Sequence, residues 1–205
     1  MPTVTSIKPQ RNGKRVNVYL DGKFGFGIDL ENYVTLGLKV EQELSEAEVE
    51  TIIKKAEFQK TLDKLLKFAT LRPRSEKEIR LWLRRKKVHI SLFDKLLKKL
   101  KQLNLIDDKK FAAWWVGQRQ AFRPKPKRIL NNELRIKGIK QETINEVLGE
   151  EKIDEEKMAK ELLARKAYKW KNLPGREAHR KMSQYLAGKG FSWEVIEKSV
   201  VEVLE

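Results

Sequence analysis

Few side chains in this sequence of 205 residues are of a type that carries out chemistry. The chain has no cysteine, which excludes a thiolate nucleophile, a disulfide framework and a cysteine metal site. The two histidines, His89 and His179, are widely separated, and the sequence indicates no acidic or nucleophilic partner for either. The pair Asp107-Asp108 is the nearest approach to paired carboxylates, but its place before a helical apolar pattern is typical of a helix N-cap. We therefore expect no catalytic residue, no metal and no cofactor.

The sequence also lacks the short motifs of common enzyme classes. It has no Walker A loop, no G-x-G-x-x-G, no H-E-x-x-H and no G-x-S-x-G. A metal-dependent nuclease is the enzyme alternative for a basic protein, but such enzymes need carboxylates that converge near the basic face. The most basic segment, residues 58–140, has 7 acidic residues, and none of them forms a spaced constellation. We expect a protein that is not an enzyme.

The strongest chemical signal is the distribution of positive charge along the chain, whose formal net charge is +16. Residues 1–57 have 8 basic and 9 acidic side chains, residues 58–140 have 25 and 7, and residues 141–205 have 12 and 13. The three segments therefore carry −1, +18 and −1, whereas a generally lysine-rich surface would spread the excess evenly. This concentration indicates a surface for a polyanion or an acidic protein.

Two groups of cations in the middle segment are the candidate binding residues. A capping box at residues 75–78 opens a helix on which Lys77, Arg80 and Arg84 share the solvent side. The second group surrounds two prolines, Pro124 and Pro126, at a helix junction. A single exposed lysine usually only solubilises a helix, whereas arginine suits phosphates and carboxylates bidentately. The expected partner-binding or nucleic-acid-binding residues are Arg72, Arg74, Lys77, Arg80, Arg84, Arg85, Lys87, Arg119, Arg123, Lys125, Lys127, Arg128, Arg135 and Lys137.

The aromatic residues do not extend this candidate site. Those that fall on helical apolar stripes, and that we expect in the core, are Trp82, Phe93, Phe111, Phe191 and Trp193. The adjacent Trp114 and Trp115 cannot both face one core. The pair could therefore include one exposed ring, which could stack on a base or pack against a partner.

The first 28 residues have the chemistry of β-strands. The dipeptides Asn12-Gly13 and Asp21-Gly22 flank a segment of alternating apolar residues and are typical of tight hairpin turns. We predict a three-stranded antiparallel meander whose apolar face must be covered by another element. A short helix should follow and end near Gly37, and a capping box at Ser45 predicts one long helix or two abutting helices over residues 46–70.

The rest of the chain is predicted to be helical and repeated. The leading leucines of one apolar pattern, Leu83, Leu134 and Leu186, are 51 and 52 residues apart. Gly138 and Gly190 stand where a helix ends in a left-handed residue, whereas the first repeat has Lys87 at this place. Chance similarity among amphipathic helices is the alternative, but the constant offset favours a true repeat.

Each repeat is divided into three helices, so that the chain is mainly α, with tandem three-helix repeats forming an elongated curved scaffold. The predicted helices are 58–70, 75–87 and 91–103, then 108–120, 126–137 and 141–148, then 154–170, 175–188 and 192–204. The predicted domains are 1–57, 58–106, 107–150 and 151–205. The sequence has no run of about 18 apolar residues and no signal-peptide pattern. We therefore expect a cytoplasmic monomer that does not bind a membrane.

A string of short motifs along the chain carries a family resemblance. The motifs are Arg72-Pro73-Arg74-Ser75 with Glu78-Ile79, Leu105-Ile106-Asp107-Asp108 with Phe111-Ala112, Arg119, Arg128-Ile129 with Glu133-Leu134, Lys137-Gly138-Ile139, and Tyr185-Leu186 with Lys189-Gly190-Phe191. In this order and spacing they resemble the RecX regulatory proteins of bacteria. Two positions depart from the family pattern, because Asn104 and Lys125 stand where glycine is usual.

The resemblance implies a non-enzymatic modulator of the RecA recombinase, with a role in DNA repair, homologous recombination and the SOS response. Proteins of this family lie in the groove of the RecA filament on DNA and typically inhibit its ATPase, strand exchange and coprotease functions. The implied partners are thus the RecA filament and DNA within it. A DNA-binding protein that acts without RecA is the rival interpretation, and a nuclease is the further alternative.

Overall fold

The computed structural model describes residues 1–11 and 13–204. The chain forms two compact units, one of Met1–Arg72 with Trp82–Leu105 and one of Pro73–Leu81 with Ile106–Glu205. Most residues are helical, and a three-stranded sheet precedes the helices. The predicted mainly α fold class with an N-terminal antiparallel meander is confirmed. Within the described residues, no helix has the length and apolar character that a membrane span requires.

The sheet of the first unit follows the predicted alternation of apolar residues. Its strands are β1 (Val4–Pro9), β2 (Arg15–Leu20) and β3 (Lys23–Asp29), antiparallel and in the order β1-β2-β3. Val16 lies opposite Ile28 and Val18 opposite Phe26, and all four side chains are buried. The β2–β3 turn has positive φ at its Asp-Gly pair, at 47° and 76°, as a tight hairpin turn requires. The other predicted turn includes Asn12, which lies outside the described residues.

Two helices complete the N-terminal part of this unit. They are α1 (Leu30–Leu36) and α2 (Glu46–Thr70). Helix α1 ends at Gly37, whose φ is 59°, and α2 begins with the predicted capping box, in which Ser45 and Glu48 each accept from the other's backbone N–H. The first half of α2 covers the apolar face of the sheet with Ile52 and Ala56. This cover supplies what a meander of three strands lacks by itself.

The remaining eight helices of the described chain follow the predicted order, in which residues 58–70 of α2 form the first group of three with α3 and α4. They are α3 (Glu76–Arg85), α4 (Phe93–Gln102), α5 (Asp108–Phe122), α6 (Lys127–Ile136), α7 (Gln141–Glu150), α8 (Glu155–Ala164), α9 (Gly175–Lys189) and α10 (Trp193–Leu204). Helices α5 to α7 share one buried cluster centred on Phe111, Leu134 and Ile144. Helices α8 to α10 share another, which includes Leu163 and Leu186. Each of these groups therefore buries its own core.

The same hydrogen-bond pattern ends the second helix of every group. The N–H of Val88 donates to the carbonyl of Leu83 at 3.1 Å, that of Ile139 to Leu134 at 3.1 Å, and that of Phe191 to Leu186 at 3.3 Å. The residues at the left-handed position are Lys87, Gly138 and Gly190, with φ of 54°, 86° and 90°. This is the Schellman arrangement of a helix C-terminus. The lysine of the first group thus adopts the conformation that glycine adopts in the others.

Three sequence predictions differ from the structure. The helix predicted over residues 154–170 ends at Ala164, and a 3-10 turn then carries Trp170 to its place beside Tyr185, at a ring distance of 5.7 Å. The helix predicted over residues 91–103 ends at Gln102, and Leu103 beyond it is 45% exposed. Trp193 is 67% exposed, so its predicted core position is wrong. It is the first residue of α10, ahead of the buried stripe that begins at Ile196.

Candidate partner-binding surface

The predicted cations lie on a small number of elements. Arg72 and Arg74 are half-buried in the segment between α2 and α3, where each contacts other residues of the protein. The division between the two units passes through α3, so that Lys77 and Arg80 lie in the second unit and Arg84 in the first. The remaining predicted cations belong to the second unit, apart from Arg85 and Lys87. We describe the two sets separately.

Three of the predicted cations form ion pairs inside the second unit. Arg80 contacts Glu76 one turn earlier in α3 at 2.8 Å, Arg119 contacts Glu133 at 2.8 Å, and Lys137 contacts Glu78 at 2.8 Å. The last two pairs join different helices, and their side chains are mostly withdrawn from solvent. In such a setting an ion pair fixes the relative position of the elements that carry it.

Trp115 lies at the centre of this internal network. Its indole N–H donates to Glu133 at 2.8 Å, the guanidinium of Arg119 lies 4.6 Å from its ring centroid, and the ammonium of Lys137 lies 4.7 Å from it. The distances are those of cation–π contacts. Both Trp114 and Trp115 are half-buried and pack on Phe111. The expectation that adjacent tryptophans cannot face one core is therefore wrong, because both rings pack against the buried cluster of α5 to α7.

Ser75 and Asp108 hold the start of α3 within the second unit. The buried Ser75 hydroxyl donates to the backbone carbonyl of Lys137 at 2.8 Å and accepts from the N–H of Glu78 at 3.2 Å. A carboxylate oxygen of Asp108 accepts from the N–H of Glu76 at 3.0 Å. The predicted capping role of the Asp107-Asp108 pair is confirmed for Asp107, which accepts from Lys110. Asp108 instead caps a distant helix.

The other predicted cations of α3, of the α5–α6 junction and of α6 are open to a partner. Within the described part of the chain, no carboxylate lies within ion-pair distance of these exposed side chains, which are Lys77, Arg84, Arg85, Lys87, Arg123, Arg128 and Arg135. Lys125 and Lys127 are half-buried. Helix α4 adds exposed lysines to the first unit at positions 95, 98 and 99. Unpaired surface cations of this kind bind phosphate or carboxylate groups of a partner.

A polar groove accompanies the exposed cations of α6. It has a volume of about 570 Å³ between α6 and α7, and its lining includes Arg128, Asn131, Asn132 and Asn145. Amide N–H groups and a guanidinium are donors for phosphate oxygens. These asparagines were not among the predicted binding residues. The sequence feature that could have indicated them is the Asn-Asn pair inside a predicted helix, because asparagine is unfavourable in a helix interior.

Family models match three parts of the chain. Residues 2–45 match "Regulatory protein RecX N-terminal domain", residues 107–148 match "RecX, second three-helix domain", and residues 154–200 match "RecX, third three-helix domain". The last two matches cover α5–α7 and α8–α10. They confirm that these helices are tandem three-helix units and not a chance resemblance of apolar patterns.

Whole-chain comparisons agree with the family models. The chain is 34% identical over 204 residues to "Regulatory protein RecX" of Bacillus licheniformis, covering 98% of this chain and 78% of the relative. It is 30% identical over 205 residues to the protein of the same name from Bacillus subtilis strain 168, covering 99% and 78%. A solved structure, "Crystal structure of regulatory protein RecX", matches 97% of this chain and 98% of its own, with a TM-score of 0.77 and 28% identity.

A second solved structure, "Crystal structure of RecX from Lactobacillus salivarius", has a TM-score of 0.64 and 25% identity over 72% of this chain and 96% of its own. The agreement thus extends from the N-terminal sheet to the last helix group, at the level of both sequence and fold. The chain belongs to the RecX family of regulatory proteins.

Proposed function

We propose that the chain binds the RecA filament on DNA and inhibits the ATPase, strand exchange and coprotease activities of RecA, without catalysing a reaction itself. The observation that carries this proposal is the set of exposed cations without a carboxylate partner on α3 and α6, in a chain of a regulatory family. A RecA–DNA filament presents both phosphates and protein carboxylates, which are the two groups that such cations bind.

The predicted binding residues divide into two roles under this proposal. The exposed cations contact the partner, whereas Arg80, Arg119 and Lys137 hold the helices that present them. A partner that binds Arg80, Arg119 or Lys137 must compete with the glutamate that already pairs with that side chain. We therefore place the binding energy on Arg84 and Arg85 in the first unit, and on Arg128 and Arg135 in the second.

Direct binding to DNA is the second candidate function, and the groove between α6 and α7 is the observation that favours it. Its asparagines and Arg128 could contact the sugar–phosphate backbone without reading sequence. On this interpretation the chain would bind bare DNA with the full dependence on salt that phosphate contacts cause.

Fluorescence anisotropy of labelled single-stranded DNA, bare or coated with RecA and a slowly hydrolysed ATP analogue, separates the two functions. Filament binding predicts tighter association with the coated DNA, and the double variant Arg128→Glu, Arg135→Glu should weaken it by at least about tenfold. The double variant Lys171→Glu, Arg176→Glu makes the same charge change at exposed positions of the third helix group and is the control. Equal or tighter binding to bare DNA would favour the second function, and cleavage of the DNA in the presence of Mg²⁺ would contradict both.

A further inference from the structure

A groove in the first unit lies between the sheet and α2. Its volume is about 460 Å³. One wall is β3 from Phe24 to Gly27, and the other wall is the side of α2 that carries Ile53 and Lys60. All these residues lie in the first part of the first unit. The proposed function gives them no role.

The wall formed by β3 is the edge of the sheet. Among the strands of the described chain, β2 pairs with β3 on one side, and none lies on the other. An edge strand presents backbone N–H and C=O groups to any strand that approaches it. Where a helix runs beside such an edge, an added strand pairs with the edge while its alternate side chains face the helix.

Large apolar side chains are exposed on both walls of the groove. Phe24 on β3 is 60% exposed, and Ile53 on α2 is 40% exposed. Phe24 is kept in place by an edge-on contact with the ring of Tyr19, at a centroid distance of 6.1 Å. An apolar side chain of a ligand would bury surface against both walls at once.

The charged groups of the groove select an acidic ligand. Arg15 and Lys60 line it, opposed by the carboxylate of Glu57. The Nη2 atom of Arg15 donates to the carbonyl of Gly27 at 2.6 Å, whereas its Nη1 atom is buried and has no hydrogen-bond partner within the described residues. A carboxylate is the acceptor that a guanidinium binds most strongly.

We propose that this groove binds an extended acidic segment of a partner protein, which adds to β3 as a further strand. One apolar side chain of that segment packs between Phe24 and Ile53, and a carboxylate approaches Arg15 and Lys60.

Selection from a phage-displayed library of random dodecapeptides on the full chain tests this proposal. We expect enriched peptides with an apolar residue and an aspartate or glutamate two positions apart, so that both side chains face the groove. In NMR spectra the best of them should shift and protect the backbone amides from Phe24 to Gly27. Replacing its alternate amides with N-methyl amides should abolish binding, because the added strand then lacks donors for the edge.

Two variants with the same charge change sharpen the test. Lys60→Glu should weaken binding of the selected peptide by about five- to tenfold. The control, Lys55→Glu, changes an exposed lysine of α2 that does not line the groove and should change the affinity by less than about twofold. Absence of enrichment, equal binding to the Lys60→Glu variant, or amide shifts confined to other elements would overturn the proposal. So would a dimer of the chain in analytical ultracentrifugation that Phe24→Ser dissociates.

Discussion

The ammonium of Lys137, the residue directly after α6, donates to the carboxylate of Glu78 in the first turn of α3 at 2.8 Å. The two side chains are 27% and 14% exposed, so that water competes weakly for the contact. The same Lys137 accepts from Ser75 through its backbone carbonyl. One residue thus joins the ends of two helices that are distant in sequence. A lysine that the sequence assigns to partner binding is therefore also part of the internal structure.

A double-mutant cycle on this pair should show a favourable coupling. With Glu78→Gln, Lys137→Met and the double variant, we expect a coupling energy of about 1–2 kcal/mol in the free energy of unfolding. Urea denaturation followed by circular dichroism measures it. The same cycle on the exposed pair Glu50–Lys54, with 66% and 67% exposure, should give a much smaller coupling, because water screens it. Equal coupling in the two pairs would contradict the account.

The buried hydroxyl of Ser75 should be worth more than an exposed helix cap. Ser75→Ala removes a donor to Lys137 and an acceptor for the N–H of Glu78, so we expect a loss of about 1–3 kcal/mol in unfolding free energy. Ser75→Thr keeps the hydroxyl, so the difference in stability between the Thr and Ala variants measures the contribution of the hydroxyl group. If Ser75→Ala unfolds at the same urea concentration as the natural chain, the proposed role of this residue in holding α3 is wrong.

Glycine at the helix end before Ile139 should be irreplaceable. At Gly138 a β-carbon would lie 2.7 Å from the β-carbon of Lys77, and φ is +86°. Gly138→Ala should therefore destabilise the fold by more than about 1 kcal/mol. Gly117→Ala, in open space inside α5, should stabilise it by about 0.5–1 kcal/mol. Thermal unfolding of both variants checks the prediction, and a Gly138→Ala protein as stable as the natural chain would contradict it.

The matching position in the first helix group makes a complementary prediction. Lys87 adopts φ of 54°, where a lysine is strained and glycine is not. Lys87→Gly should therefore leave stability unchanged or raise it by up to about 1 kcal/mol, although the substitution removes a cation. A large loss of stability in thermal unfolding would show that the lysine side chain has a structural role at this site.

The capping box of α2 should make the first unit sensitive to acid. Hydrogen bonds from the backbone N–H and the hydroxyl of Ser45 lower the pKa of Glu48 below its ordinary value of 4.5. Because the folded-state pKa is depressed, this contribution to stability is fully present above about pH 4.5 and is lost as the pH falls through the folded-state pKa. Thermal unfolding measured at a series of pH values should show a smaller loss of stability at acid pH for Glu48→Gln than for the natural chain. An unchanged loss of stability at acid pH would contradict the assignment.

The sequence predicts local structure in this protein better than it predicts long-range contacts. The turn at Asp21-Gly22, the capping box at Ser45 and the glycines that end α6 and α9 depend on neighbouring residues, and all are confirmed. The contact of Asp108 with Glu76 depends on two segments that are far apart in sequence, and no local pattern indicates it.

The same limit applies to the candidate surface. The charge count locates the cations of α3 and α6, but it cannot separate exposed Arg128 from ion-paired Arg119, because the carboxylate of Glu133 comes from another helix. Trp193 shows the opposite error, because the apolar pattern predicts a buried residue that is in fact exposed. Trp193 is the first residue of α10 and precedes the buried residues of that helix. The groove beside β3 depends on which strand forms the sheet edge, which becomes visible only in the folded chain.

Under the proposed function, exposed cations of this chain inhibit RecA on DNA. Titrating the chain into RecA filaments on single-stranded DNA while following ATP hydrolysis tests it most directly. We predict a concentration-dependent fall in hydrolysis, which the variant Arg128→Glu, Arg135→Glu shifts to at least about tenfold higher concentration and the control Lys171→Glu, Arg176→Glu leaves in place. Hydrolysis that the natural chain does not reduce, or inhibition that survives in full in the well-folded Arg128→Glu, Arg135→Glu variant, would contradict the claim.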